Sequence, residues 1–181
     1  MRTFISIEFP ENIKQEIIKI QKEIEALGLV RGQMTEKENL HLTLKFLGEV
    51  DEKEIEKIED KLKNFNFKLF SVKLDKLGVF DKNFIRIVWI SAKGELLWEL
   101  QKALDIALEE HFPKEIRFMG HITICRPKSV KNREQFIDAL EKIRFEKSNF
   151  KIDKIVLKKS ELSSKGPKYF DLMVIKSKER I

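Results

Sequence analysis

The chain of 181 residues has one cysteine, three histidines and no apolar run near membrane-spanning length. The lone Cys125 excludes an internal disulfide and suits a reducing compartment, so a cytoplasmic location is expected. A membrane span needs about 18 consecutive apolar residues, and none occurs, so no membrane partner is expected. Residues 1–8 alternate like a strand and show no apolar core of a secretion signal. The histidines come without His-x-His or His-x-x-x-His spacing and without clustered carboxylates. No metal site and no cofactor are therefore expected.

Lysine and arginine number 36 against 30 acidic residues, a formal net charge of +6. That excess agrees with an anionic partner such as RNA but does not single one out. With 42% hydrophobic residues the composition is that of an ordinary globular protein.

What is present is a repeated pattern. In Asn39-Leu40-His41-Leu42-Thr43-Leu44-Lys45-Phe46-Leu47-Gly48, apolar and polar residues alternate as in a half-buried strand, with His41 and Thr43 on one face. Gly120-His121-Ile122-Thr123-Ile124-Cys125-Arg126 repeats the arrangement with His121 and Thr123. On a regular strand Lys45 would share the face of His41. Arg126 would lie opposite His121 unless the strand ends or twists at Cys125, which would itself share the His121 face.

The elements around the two motifs also repeat. Residues 3–9 read as a strand. Pro10 opens a helix carrying Ile13, Ile17, Ile20 and Ile24, and Gly28 caps it. Residues 29–38 read as a polar connection. Asp51 and Glu54 form a capping-box signature ahead of Ile55, Ile58 and Leu62. Strands are expected over 67–79 and 84–90, then a helix after Gly94 that Pro113 stops. Asn132 and Gln135 signal another cap, before Phe136, Leu140 and Ile143. Strands over 150–158 and 169–176 flank a polar loop at 160–168.

His41 precedes Asp51 by ten residues and His121 precedes Asn132 by eleven. The similar spacing predicts an internal duplication. The expected fold is α+β: two pseudo-symmetric lobes, each an antiparallel sheet backed by helices. Residues 1–181 form one domain in this reading, with the His-x-Thr motifs at 41–44 and 121–124 meeting in a central cleft.

Two imidazoles flanking one phosphate suit phosphodiester hydrolysis, one taking a proton from water and the other giving one to the leaving oxygen. Thr43 and Thr123 can donate to phosphate oxygens. Lys45 and Arg126 are the nearest cations in sequence that could offset transition-state charge. Other features have simpler explanations. His111 follows a helix face and suits a helix C-terminus. Cys125 suits a buried filler rather than a nucleophile. Lys151, Lys154, Lys158 and Lys159 read as a solvated face.

The two motifs, His41-Leu42-Thr43-Leu44 and His121-Ile122-Thr123-Ile124, resemble the signature of the 2H phosphoesterase superfamily. The closer resemblance is to its LigT-like branch, the RNA 2′,3′-cyclic phosphodiesterases historically called 2′-5′ RNA ligases. Residues 1–5, 38–50 and 162–169 also resemble segments of that branch, while Gly120 departs from the proline common before the second histidine. The resemblance implies metal-free hydrolysis of RNA 2′,3′-cyclic phosphate ends to 2′-phosphomonoesters, with a weaker reversible 2′-5′ joining reaction. It implies His41 as proton donor, His121 as proton acceptor, and Arg126 near the phosphate with Thr43 and Thr123; the residues alone do not order the two histidines. The expected partner is RNA with cyclic-phosphate ends, tRNA fragments among them, and the protein is expected to be a monomer. Two alternatives stand beside this. One is a phosphodiesterase for a small cyclic nucleotide or a 2′-5′ oligonucleotide. The other is a non-catalytic RNA-binding module using Phe84, Trp89, Tyr169 and Phe170 to stack bases.

Overall fold

In the computed structural model, which describes residues 1–164 and 166–178, alternation and helical periodicity place most elements where the sequence predicts them. The order is β1 (Arg2–Glu8), α1 (Glu11–Ala26), β2 (Val30–Met34), a 3-10 turn (Lys37–Asn39), β3 (His41–Glu49), α2 (Glu52–Lys63), β4 (Phe70–Val79), β5 (Val88–Lys93), α3 (Glu95–Ala107), β6 (His121–Val130), α4 (Arg133–Lys142), β7 (Asn149–Ile152), β8 (Lys154–Ser163) and β9 (Gly166–Lys176).

The strands pair antiparallel in the order β7-β4-β5-β6-β3-β1-β8-β9, with β2 beside β6. One lobe thus contains β1, β3, β8 and β9, and the other β4 to β7 with β2. The lobes join where Leu42 of β3 opposes Ile122 of β6. After each His-x-Thr strand and its following helix the chain crosses to the opposite lobe, directly after α2 and by way of β7 after α4. After α2, β4 pairs with β5; after α4 and the short β7, β8 pairs with β1.

The helices form because their apolar stripes have this sheet to cover. Ile13, Ile17, Ile20 and Ile24 of α1, Ile55, Ile58 and Leu62 of α2, Leu97, Leu100 and Leu104 of α3, and Phe136 and Leu140 of α4 are all buried. Each such side chain contributes on the order of 1.5–3 kcal/mol. Gln21, buried on α1, donates to the carbonyls of Thr35 and Ile124 at 2.8 Å each, tying the helix to the residue after β2 and to β6. The capping box at Asp51 is complete: Glu54 N–H donates to Asp51 Oδ1 at 2.8 Å and Asp51 N–H to Glu54 Oε2 at 2.9 Å. Gly28, at φ +62°, ends α1 in the left-handed region.

The structure corrects several expectations. The polar connection at 29–38 contains β2, held along β6 from Val30↔Val130 to Met34↔Cys125. Gly32 allows the approach, since a Cβ there would meet the Arg126 carbonyl oxygen at 2.4 Å. Pro10 is the residue before α1 rather than its first turn. Helix α3 ends at Ala107, ahead of Pro113, and His111 sits exposed in the following turn. The expected loop at 160–168 is a hairpin closed by Ser163↔Gly166; Lys165 lies outside the described residues. Lys158 is no solvated residue: it is 6% exposed, ion-paired to Glu8 at 2.7 Å and to Asp171.

Candidate active site

Each His-x-Thr strand begins as a regular strand and then changes face. On β3, Ser6 opposes Thr43 and Ile5 opposes Lys45, so Leu44 is an extra residue in the ladder. On β6, Trp89 opposes Thr123 and Val88 opposes Cys125, so Ile124 is the extra residue. Such a bulge re-aims every later side chain by one position. As a result Leu44 and Lys45 are both buried and Phe46 turns outward; Ile124 and Cys125 are both buried and Arg126 turns outward.

Two expectations change here. Lys45 leaves the face of His41 and enters the core, 3% exposed, pairing with Asp105 and donating to the Pro113 carbonyl at 2.8 Å. Asp105 also accepts from Gln101 Nε2 at 2.8 Å and from Glu115 N–H at 3.0 Å. Burial opposes its charge, but these donors and Lys45 hold its carboxyl below the ordinary range. Arg126 moves the other way, onto the face of His121. Cys125 is fully buried, and burial lifts its thiol to about 11, far from a nucleophile's range.

A cleft of about 400 Å³ lies where β3 and β6 meet. His41, Thr43, His121, Thr123 and Arg126 all line it. With Leu42 opposite Ile122, the antiparallel register sets His41 across from Thr123 and Thr43 across from His121. The histidines thus lie on a diagonal. Both rings are locked in the same way. His41 Nδ1 is 2.7 Å from the Asn39 carbonyl, and His121 Nδ1 is 2.8 Å from the Met119 carbonyl, in each case two residues back. A carbonyl can only accept, so Nδ1 carries hydrogen and Nε2 is the nitrogen left for a ligand. In neutral His41, Nε2 accepts from the Thr43 hydroxyl at 3.1 Å.

The surroundings of the two rings differ. Phe4 lies against His41 at 4.9 Å and a 30° tilt, and Tyr169 meets it edge-on at 5.1 Å. Among the described residues, the aromatic ring against His121 is that of Phe80, edge-on at 5.0 Å. Burial lowers the His41 pKa to about 4; the Asn39 carbonyl opposes this, and the charges of Lys158, Arg126 and His121 add to it. Burial lowers His121 as well, opposed by the Met119 carbonyl and aided by Arg126. Both shifts favour the neutral imidazole at pH 7.

The structure adds residues that the sequence did not single out. Phe46 is 67% exposed at the cleft edge, a position only the bulge explains. Asn39 orients His41 through its carbonyl and donates through Nδ2 to the Pro167 carbonyl at 3.0 Å, fastening the β8–β9 hairpin beside the site. Among the stacking candidates, Tyr169 lines the cleft and Trp89 is buried, while Phe84 and Phe170 are exposed elsewhere. Among the described residues, no group of three or more His, Cys, Asp or Glu is placed to hold a metal ion, and no helix is long and apolar enough to cross a membrane.

Twofold geometry of this kind has a counterpart in known sequences. The family described as LigT like Phosphoesterase matches twice, over residues 7–89 and 88–169. The chain belongs to the LigT-like phosphoesterases. Each match contains one His-x-Thr strand. A Methanocaldococcus jannaschii protein named RNA 2′,3′-cyclic phosphodiesterase is 38% identical over 172 residues, 93% of this chain and 96% of its own. A Thermotoga maritima protein of the same name is 33% identical over 93% of this chain and 91% of its own. Among solved structures, TT0787 of Thermus thermophilus superposes with a TM-score of 0.83 at 24% identity over 97% of each chain. E. coli LigT in its apo form gives 0.76 at 21% identity over 98% of each chain. These two show that the LigT-like phosphoesterase fold is shared.

Proposed function

We propose that the protein hydrolyses 2′,3′-cyclic phosphate ends of RNA to 2′-phosphomonoesters, with the two histidines as general base and general acid. The observation that carries this is the diagonal pair of imidazoles in one cleft, each with Nδ1 on a backbone carbonyl and Nε2 as the nitrogen left to meet a ligand, where the Thr43 hydroxyl already meets that of His41. The curated relatives named RNA 2′,3′-cyclic phosphodiesterase supply the substrate class.

His121 Nε2 takes a proton from water as its oxygen bonds to phosphorus. The bond from phosphorus to O3′ breaks, and His41 Nε2 gives its proton to that oxygen. The product keeps its phosphate on O2′, and proton exchange with solvent resets the pair. His41 must be protonated to act, yet its burial favours the neutral ring. The anionic phosphate supplies the opposing influence, since a negative charge beside an imidazole favours its cation. Thr43, Thr123 and Arg126 line the same cleft as the imidazoles, where they can donate to the non-bridging oxygens. The same steps with a 5′-hydroxyl in place of water, its oxygen bonding to phosphorus as the bond to O3′ breaks, give the weak 2′-5′ joining reaction. A monomer in the cytoplasm, meeting RNA fragments such as those of tRNA, is the setting this reading assumes.

One feature favours the small-nucleotide alternative: a cleft of about 400 Å³ holds roughly one nucleotide. The test is incubation of the protein, with excess chelator, with 2′,3′-cyclic nucleotides and with a short RNA ending in cyclic phosphate. Chromatography against 2′- and 3′-phosphate standards should show the 2′-phosphate alone. Binding without turnover would favour the RNA-binding module, and a 3′-phosphate product would reverse the leaving-group assignment.

A further inference from the structure

Residues 80–87, between β4 and β5, carry two rings that the core does not cover. Phe80 is 54% exposed and Phe84 59%. The segment is nonetheless fixed. Asp81 Oδ1 accepts from the N–H groups of Asn83 at 2.8 Å and Phe84 at 3.2 Å, and Arg133 of α4 donates to the Asn83 carbonyl. Two phenyl rings are thus presented to solvent on a tied turn.

The charge around them is mostly positive. The Arg86 guanidinium lies 4.2 Å from the centre of the Phe84 ring, and Lys82 and Arg133 are exposed on the same turn and its anchor. Asp81, the acid within 80–87, is engaged in forming the turn. The surface also reaches the cleft, because Phe80 stands edge-on to the His121 ring at 5.0 Å.

We propose that this turn is a landing surface for the single-stranded RNA that precedes the reacting end. Bases would stack on Phe80 and Phe84, and phosphates would meet Lys82, Arg86 and Arg133. The proposal rests on reading the cleft as a cyclic phosphodiesterase site. A cleft that holds roughly one nucleotide must let the rest of a strand leave it, and this surface adjoins the cleft on the His121 side. Aromatic rings interleaved with cations suit a single strand of any sequence, since every base has a π-face and every linkage a charge. Rings already held in place lose little freedom on binding.

The experiment compares two substrates, a 2′,3′-cyclic mononucleotide and a short oligonucleotide ending in 2′,3′-cyclic phosphate. Phe84→Ala should lower kcat/KM for the oligonucleotide by roughly 5- to 100-fold, the usual worth of one stacked base. The mononucleotide value should stay unchanged, which also reports an intact fold. Lys82→Gln should flatten the salt dependence for the oligonucleotide by a slope of about one. Equal losses on both substrates, or none on either, would overturn the proposal. If the wild-type protein cleaves neither substrate, the phosphodiesterase reading is what fails. Anisotropy of a labelled oligonucleotide ending in 2′-phosphate then decides the surface: weaker binding by Phe84→Ala supports it, and equal binding overturns it.

Discussion

Strands β3 and β6 share one backbone design and differ in the side chains set on it. Both place a histidine and a threonine on the cleft face, both bulge one residue later, and both bind the histidine Nδ1 to a carbonyl two residues back. The bulge then buries Lys45 on one strand and Cys125 on the other, and turns Phe46 outward on one and Arg126 on the other. The first strand therefore brings a charge into the core and an aromatic ring to the cleft, and the second brings a thiol into the core and a cation to the cleft. Twofold geometry supplies two equivalent nitrogens. Unequal neighbours can give them unequal proton affinities, and burial disfavours the charged form of His41, so its proposed role as acid depends on the charge of the phosphate.

The most direct way to break the comparison is to remove each imidazole. His41→Ala and His121→Ala should each lower turnover by roughly two to four orders of magnitude, the usual worth of a general acid or base. Neither ring packs in the main core, so thermal midpoints should stay near wild type. A variant that kept near-wild-type hydrolysis would show that the symmetry is structural only.

The buried positions, Lys45 and Cys125, should separate on stability. Lys45→Ala leaves Asp105 charged and without its cation in the core, an expected loss of about 3–5 kcal/mol. Cys125→Ala at the equivalent position should cost roughly 1 kcal/mol. Denaturant midpoints at constant slope measure both. Full stability in Lys45→Ala together with lost turnover would return Lys45 to the chemistry.

The threonines should give the next smaller effect. Thr43→Val and Thr123→Val each remove a hydroxyl at nearly constant volume, for about 1–3 kcal/mol of transition-state stabilisation. Unchanged kcat/KM in both would mean that neither hydroxyl meets the phosphate.

Much of this was legible because strand alternation and helical spacing are local. Thr43 and Thr123 share a face with their histidines by alternation alone, and the caps at Asp51 and Asn132 are where short-range chemistry puts them. The bulges were not legible, since an extra residue exists only relative to a partner strand. That is why Lys45 and Arg126 exchanged their expected faces. Strand β2 was hidden for a related reason: Arg31, Gly32 and Gln33 are polar or small, and their pairing depends on β6, distant in sequence. Lys158 looked like one of several surface lysines because its partner Glu8 lies on β1, at the other end of the chain.

The smallest expected effect is a displacement along the pH axis, and it tests the unequal neighbours most directly. The sequence alone places the optimum near neutrality, where imidazole ordinarily titrates. The structure moves it. The proposed mechanism needs one ring protonated and the other neutral, and kcat/KM reports the free enzyme. Burial sets the His41 pKa at about 4 and lowers His121 below its ordinary 6.5. As pH falls through the higher value the pair takes up its first proton, so kcat/KM rises. As pH falls further, toward 4, the second proton arrives and kcat/KM falls. The bell for kcat/KM should therefore peak on the acidic side of 6.5, and each limb belongs to the pair rather than to one ring. In the substrate complex the phosphate charge favours the cations, so the bell for kcat should lie at higher pH. Arg126→Gln removes a cation that disfavours protonation of both rings. Whatever it does to the height of the kcat/KM bell, it should move both limbs upward by less than about one unit, or about 1.4 kcal/mol. A wild-type kcat/KM optimum above about pH 7, or limbs that Arg126→Gln leaves in place, would mean that the charges around the cleft do not set the proton affinities of the pair.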